Sequence, residues 1–585
     1  MYAIKKIISG LIPLGVLSLF LTACQPKGEE TITLHLLHTT DVHGNFLPFD
    51  YVKERPATGS MARLSTYVTA LRNDGEMPIL LEGGDLLQGE PISYYYNYVD
   101  TVTQHIAARI LNYLQYDAMT VGNHDIETGH AVYDRFRKEA SCPLLAANIL
   151  TNPKDPSSTY FAPYTMVERS GVRIAVLGLT TPAIPQWLPG DLYKGMYFAD
   201  GIETARHWIP VIQKEEHPDL IVALVHAGAV NENPDYNENF AFELAETLTG
   251  IDLVLYGHDH RQRIEQRTNP QGDSIYVVNP ANHLERVSDI TITIQKKDGK
   301  IVDKKISAQL TDLSPYDPDE EFMRHFKSDT EALEKFVQRP VANLETAVRS
   351  QDALFGFSSY LGLVHDIQLE ITGAQISFAA PLSTSMSLPR GELTVGRMFD
   401  LYPYENYLYK MNLTGQEIKD YLEYSYSKWV NQMTSAHDHL LLLDNTQDST
   451  ARFKTKYPTF NFSSAYGIDY TVDVSMPIGQ RITIQKLASG QSFDLSETYS
   501  VALNSYRGNG GGGLLIQGAG IAKETLPQRI TWSTTKDIRT YMIEILQRRR
   551  SISPTVYHPN WRFIPEHWAE TAIVTDRRYL FGEDQ

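Results

Sequence analysis

Cysteine is nearly absent. Only Cys24 and Cys142 occur in 585 residues, which excludes the disulfide-dense architectures and leaves stability to apolar cores and metal sites. Positive charge is also in deficit, with 52 Lys and Arg against 70 Asp and Glu and a net charge of -18. A partner such as polymeric DNA or RNA calls for a basic footprint, and this chain has none. Beyond residue 21 no run is long and apolar enough to span a bilayer. Repeats at solenoid periods and low-complexity tracts are missing as well. What is present is ordinary globular material, 42% hydrophobic and 21% charged, in a chain too long for one core of ~250–300 residues.

The first residues read as an export signal. Lys5 and Lys6 precede an apolar run from Ile7 to Leu21, broken by Pro13 and shorter than the ~20 residues a spanning helix needs. Leu21-Thr22-Ala23-Cys24 resembles the bacterial lipobox, in which the cysteine is lipidated and becomes the mature N-terminus. Residues 1–24 are expected to be a lipoprotein signal peptide. The protein is then exported and membrane-anchored through lipid on Cys24, in the periplasm or at the cell surface. Cys142, in Ala140–Leu144, reads as a small buried hydrophobe without a catalytic role.

From Thr31 to about Leu310, apolar strand-like runs alternate with helical stretches, the pattern of a layered α/β domain. Val102, Ile106, Ile110 and Leu114 fall at i, i+4 spacing and predict a helix with one apolar face. Residues 25–316 are expected to form this first domain. Residues 317–342 are expected to form a linker helix, with Phe322, Phe326, Leu333 and Phe336 at helical spacing. Residues 343–585, rich in aromatics, are expected to form a second α/β domain that binds substrate.

Five of the strand-like runs end in a metal-competent side chain beside a glycine. Ile32–Leu37 leads into Asp41-Val42-His43-Gly44, Ile79–Leu81 into Gly83-Gly84-Asp85, and Ala118–Val121 into Gly122-Asn123-His124-Asp125. Leu220–Val225 leads into His226-Ala227-Gly228, and Leu253–Leu255 into Gly257-His258-Asp259-His260. Carboxyl ends of strands line the ligand crevice in α/β folds, so these groups should converge. Carboxylates, imidazoles and one carboxamide make a mixed N/O donor set for borderline divalent ions such as Zn, Mn, Fe or Co. The i, i+2 pairs Asp41/His43 and His258/His260 would each lie on one side of an extended segment. A carboxylate such as Asp85 can bridge two ions ~3.5–4 Å apart.

This ordered series resembles the calcineurin-like metallophosphoesterases, in the branch of bacterial 5'-nucleotidases and 2',3'-cyclic-nucleotide 2'-phosphodiesterase/3'-nucleotidases. The resemblance implies a layered α/β/β/α catalytic domain and two divalent metal ions. Asp41, His43, Asp85 and His260 would hold one, and Asp85, Asn123, His226 and His258 the other. It implies that the ions make hydroxide available near neutral pH and neutralise charge on the phosphoryl oxygens. His124 would be the catalytic histidine. The family's orienting aspartate, three residues on, is Glu127 here. Asp125 reads as a solvated or capping carboxylate, and Asp259 as a shaper of its turn.

In the second region, Ala380-Pro381-Leu382, Asp400–Asn406 and Leu413-Thr414-Gly415 resemble the branch's C-terminal domain. The tyrosine-rich version is closer to the cyclic phosphodiesterase/3'-nucleotidases. Phe460-Asn461-Phe462 and Asn504–Arg507, before Gly510–Gly513, match the places where the family holds the base between two aromatic rings. Phe460, Tyr506, Asn123 and Arg390 are the expected substrate-binding residues. Small nucleotides are thus the expected substrates, since metal ions can make one pocket positive in an acidic protein. The expected reaction opens 2',3'-cyclic nucleotides to 3'-nucleotides and then removes the 3'-phosphate. A 5'-nucleotidase or nucleotide-sugar hydrolase is the enzymatic alternative, and a non-catalytic nucleotide-binding surface lipoprotein the other. The sequence does not set the oligomeric state; a monomer is compatible with it.

Overall fold

The computed structural model describes residues 29–231, 236–297, 300–444, 453–553 and 557–582. The expected signal peptide and Cys24 lie outside them. Two six-stranded sheets build the first domain. One runs in the order Lys300–Asp312, Arg286–Lys297, Glu30–Thr39, Ile79–Glu82, Ala118–Thr120, Leu144–Leu145. The other runs Gln262–Thr268, Ser274–Pro280, Leu253–Tyr256, Leu220–His226, Val172–Thr180, Tyr164–Arg169. The inner strands and the edge strand Leu144–Leu145 pair in parallel, and the other outer strands antiparallel.

Both faces of the inner strands are covered, which is why those strands read as unbroken apolar runs. Ile174, Val176, Val222 and Leu224 join Ile32, Leu34 and Leu36 in the layer between the sheets. Their neighbours Ala175, Leu177, Ile221 and Ala223 point the other way, under helices Gly201–Glu216 and Ala241–Thr247. Helices Met61–Asn73 and Ile106–Leu114 cover the opposite outer face over Leu37, Leu80 and Met119. The result is an α/β/β/α sandwich, and each fully buried aliphatic side chain contributes about 1.5–3 kcal/mol.

Two expected elements differ in detail. The helix at 106–114 starts after His105, whose ring accepts from Ala107 N, so Val102 is not part of its apolar face and is 95% exposed. The linker is two helices, Glu320–His325 and Lys327–Val337, broken at Phe326 (φ -100°, ψ 19°). Its four apolar residues are buried in a core cluster that draws side chains from both domains, so the connection is docked rather than free. A helix ends before proline because the preceding residue is pushed out of the α region. Accordingly, Pro340–Leu344 is a strand, paired with Gly391–Thr394 and Ser551–Ile552.

The second domain centres on a five-stranded sheet in the order Ser464–Tyr466, Ile376–Ala379, Thr498–Asn504, Leu408–Thr414, Ile530–Ser533. Helices Ser359–Thr372 and Gly415–Trp429 pack beside it. The domains meet through a buried polar cluster. Arg539 pairs with Glu405 at 3.2 Å, both fully or nearly fully buried, and its guanidinium lies 3.7 Å from the centre of the Phe399 ring. Tyr98 donates to Glu405 at 3.1 Å, Tyr94 packs on Phe399, and Lys53 pairs with Asp400. Removing one partner of such a buried pair costs about 3–5 kcal/mol, so these contacts fix how the domains frame the cleft between them.

Candidate metal centre and substrate cleft

The five strand ends converge. Donor atoms of Asp41, His43 and His260 lie within 4.8 Å of one another, as do those of Asp85, His226 and His258. The loops interlock through their backbones, Asp41 N donating to Gly84 O and His43 N to Asp85 O, each at 2.9 Å. The i, i+2 pairs are not extended. Asp41, His43, Asp85, His258 and His260 all have positive φ, between +51° and +75°. A non-glycine residue there costs about 1–2 kcal/mol, and the tight left-handed turns rather than an extended segment bring paired side chains to one point. Gly122 and Gly257 are required beside them, since a Cβ would sit 2.2 Å from Asp85 Oδ1 and 2.4 Å from Asp41 Oδ2.

The donor set fits a cation pair. The buried Asn123 Oδ1 has no hydrogen-bond partner among the described residues. Burial would raise the Asp85 carboxyl, yet the charges of His226, His124 and His43 hold it well below the usual range. Asp41 is likewise lowered against burial, by its hydrogen bond from His260 and the His226 charge. His226, although burial opposes it, is pushed up to about 10 by Asp85. Two buried anions thus recruit positive charge wherever they find it.

Each imidazole is tied by one nitrogen. His226 Nδ1 donates to Gly83 O at 2.7 Å and His43 Nδ1 to Gln88 O at 3.2 Å, leaving Nε2 of each for a metal. His260 Nδ1 lies 3.2 Å from the Asn282 amide. His258 Nε2 meets Glu238 Oε1 at 3.1 Å.

His124 and Glu127 share the short helix Asn123–Glu127, where i, i+3 side chains face each other. Nδ1 and Oε2 are 2.5 Å apart. His124 is raised to about 9, since the Asp85 and Glu127 charges outweigh burial. Asp125 is a buried cap, not a solvated one. It accepts from Gly122 N, Asp85 N, Leu86 N and Leu87 N at 2.8–3.0 Å. Asp259 ties its turn to Ala229 N and Asn279.

A cleft of about 2090 Å³ joins this centre to the second domain, and its walls include Asn123, His124, Phe460 and Tyr506. Phe460 and Tyr506 meet edge to face, with centroids 6.1 Å apart and planes at 88°. They are not the parallel pair of the expected base sandwich, and one ring would have to turn to form it. Phe462 instead stacks on Trp429 in the core, fully buried. Arg390 is exposed beside Glu345 and lies outside the cleft walls, because its turn between strands Ser387–Leu388 and Gly391–Thr394 sits on the domain surface. The buried arginine near the rings is Arg507, which donates to Phe460 O and Gly511 O. Gly512 cannot carry a side chain there, since a Cβ would lie 2.2 Å from both Arg507 and Asn461.

The sequence reading missed Glu238, Trp187 and the turn at Asn282 and His283. The last had a signal. The strand Ser274–Pro280 also ends in a polar turn, without the glycine of the other five, and His283 there has φ +57°.

Sandwich, strand-end donors and docked second domain together define a two-domain metallophosphoesterase. Residues 34–262 match the calcineurin-like phosphoesterase family, and residues 340–518 match the 5'-nucleotidase C-terminal domain. The chain belongs to the calcineurin-like phosphoesterases that carry a 5'-nucleotidase C-terminal domain. It is similar to a trifunctional nucleotide phosphoesterase of Bacillus subtilis, 26% identical over 95% of this chain but only 41% of that protein's length. It is also similar to a 2',3'-cyclic-nucleotide 2'-phosphodiesterase/3'-nucleotidase of Haemophilus influenzae, 26% identical over 92% of this chain and 88% of that one. A putative 5'-nucleotidase structure from Staphylococcus aureus shares the fold, with a TM-score of 0.72 at 20% identity, covering 91% of this chain and all of that one.

Proposed function

We propose that the protein hydrolyses 2',3'-cyclic nucleotides to 3'-nucleotides and then to nucleoside and phosphate at one metal pair. The two donor groups, Asp41 with His43 and His260 and Asp85 with His226 and His258, beside His124 and the unpartnered Asn123 Oδ1, carry this reading. The cyclic and 3'-nucleotide preference draws support from the similarity to the Haemophilus enzyme over nearly its whole length. Two ions, of Zn, Mn, Co or Fe, would supply hydroxide near neutral pH and neutralise charge on the phosphoryl oxygens.

The chain's own residues do the rest. Asp85, its carboxylate held by His124 N at 2.8 Å, groups with His226 and His258, and its second oxygen would serve the ion held by Asp41, His43 and His260. Glu127 accepts from His124 Nδ1–H, which orients the ring at the cleft wall. There it donates to the phosphoryl oxygens or to the leaving ribose oxygen. Phe460 and Tyr506 hold the base and fix which ribose oxygen meets His124. Cys24 would anchor the exported protein to a membrane by lipid; no helix among the described residues is long and apolar enough to cross one.

The test is phosphate and nucleoside release from 2',3'-cAMP, 3'-AMP and 5'-AMP with Mn, Zn or Co added. Turnover of the first two, lost in Asp85→Ala, is expected. Preference for 5'-AMP would refute the cyclic assignment and favour the 5'-nucleotidase alternative. Metal-loaded protein silent on all three would refute nucleotide hydrolysis.

A further inference from the structure

Three of the four expected ligand histidines are steadied by neutral groups: Gln88 O, Gly83 O and the Asn282 amide. His226 and His260 also meet the ligand carboxylates Asp85 and Asp41, but His258 alone meets a carboxylate outside the expected ligand set. Glu238 Oε1 lies 3.1 Å from His258 Nε2, and Glu238 is itself partly buried. One face of the imidazole is covered by Trp187, stacked with centroids 5.8 Å apart and planes at 29°. Both steadying residues are themselves anchored. Glu238 N donates to Asn231 Oδ1 at 3.1 Å, and Glu238 O accepts from Thr181 Oγ1 at 2.9 Å. Trp187 O accepts from Asn509 Nδ2 of the second domain, at 3.1 Å.

We propose that Glu238 is a positioning residue for the Asp85–His226–His258 group, holding His258 as the tautomer with the proton on Nε2 and Nδ1 free to ligate. The inference rests on the two-metal reading above. With Nε2–H donating to the carboxylate, only Nδ1 offers a lone pair, and the partial negative charge passed to the ring makes that lone pair a stronger donor. Trp187 prevents the ring flip that would present Nε2 instead. The Asp41–His43–His260 group does not contact Glu238, so the effect is confined to one of the two ions. Because Trp187 is pinned by Asn509, docking of the second domain helps to hold the same ring.

The experiment titrates Mn²⁺ into chelator-stripped full-length protein by calorimetry. Electron paramagnetic resonance follows the spin-coupled pair, and the melting temperature of the stripped protein is the control. Loss of a ligand's outer partner costs about 10–100-fold in metal affinity. Glu238→Ala is therefore expected to weaken one binding step by that factor, leave the other within twofold, and replace the coupled spectrum by that of a single ion. Glu238→Gln keeps an acceptor oxygen without the charge and should fall between. The melting temperature of the stripped protein should stay near wild type. Wild-type affinity for both ions in Glu238→Ala, or equal weakening of both steps with a lower melting temperature, would overturn the proposal. Wild-type protein that takes up two ions but turns over no nucleotide would refute the proposed reaction and leave this inference standing.

Discussion

Asp125 holds the metal loops without facing the cleft. Its two oxygens accept from four backbone N–H groups, two on each oxygen, from the loops after Ile79–Glu82 and Ala118–Thr120. The side chain is 2% exposed. Asp125→Ala leaves four buried donors unpaired at about 1–3 kcal/mol each, an upper bound of about 4–12 kcal/mol. Water entering the space left by the carboxylate recovers part of this, so a loss of about 3–5 kcal/mol is expected. For a domain of this size that lowers the melting temperature by roughly 6–20 °C. Asp125→Asn keeps one acceptor oxygen and should lose about half as much. The assay is thermal unfolding of chelator-stripped protein, then metal stoichiometry at a temperature where the variant is folded. Both variants should also bind less than the wild-type metal complement, because the amide of Asp85 has lost its anchor. A melting temperature within ~2 °C of wild type with both ions bound would refute the reasoning.

The same geometry sets further outcomes. Glu127→Gln keeps the size of the dyad partner but not its charge, so kcat should fall well below wild type; His124→Ala should cost about 10²–10⁴. Metal content should be unchanged in both, and a kcat within twofold would remove His124 and Glu127 from the chemistry. Phe460→Ala and Tyr506→Ala should each raise KM about 5–150-fold, from about 1–3 kcal/mol per stack, whereas Phe462→Ala should lower stability instead; equal effects on KM would contradict this division. His105 and His365 are lowered by burial to about 3. Below pH 6.5 the unfolded chain therefore binds protons that the native one does not, and stability is lost as pH falls from 6.5 towards 3. At pH 5 each costs about 2 kcal/mol. His365→Gln should lose less melting temperature than wild type between pH 7 and 5, as read by calorimetry; an equal loss would contradict the assignment.

Much of the centre was legible because the chemistry sits where an apolar run stops. Asp41, Asp85, Asn123, His226 and His258 each come at or just after the end of a buried strand, and such strands announce themselves as unbroken runs. The backbone there was not legible. Left-handed φ at five donor residues comes from loops locking onto one another across long sequence distances, as in His43 N to Asp85 O. Glu238 lies in a loop with no periodicity, so only the fold shows it against His258. Arg390 looked useful from its neighbours, yet its strand turn faces away from the cleft. Val102 kept the helical spacing, and His105 capped the helix beyond it.

The most direct test of the central claim is the anomalous-scattering map of crystals loaded with Mn²⁺. The account predicts two peaks ~3.5–4 Å apart, bridged by Asp85, one beside Asp41, His43 and His260 and the other beside Asn123, His226 and His258. A single peak, or a pair not bridged by Asp85, would contradict it.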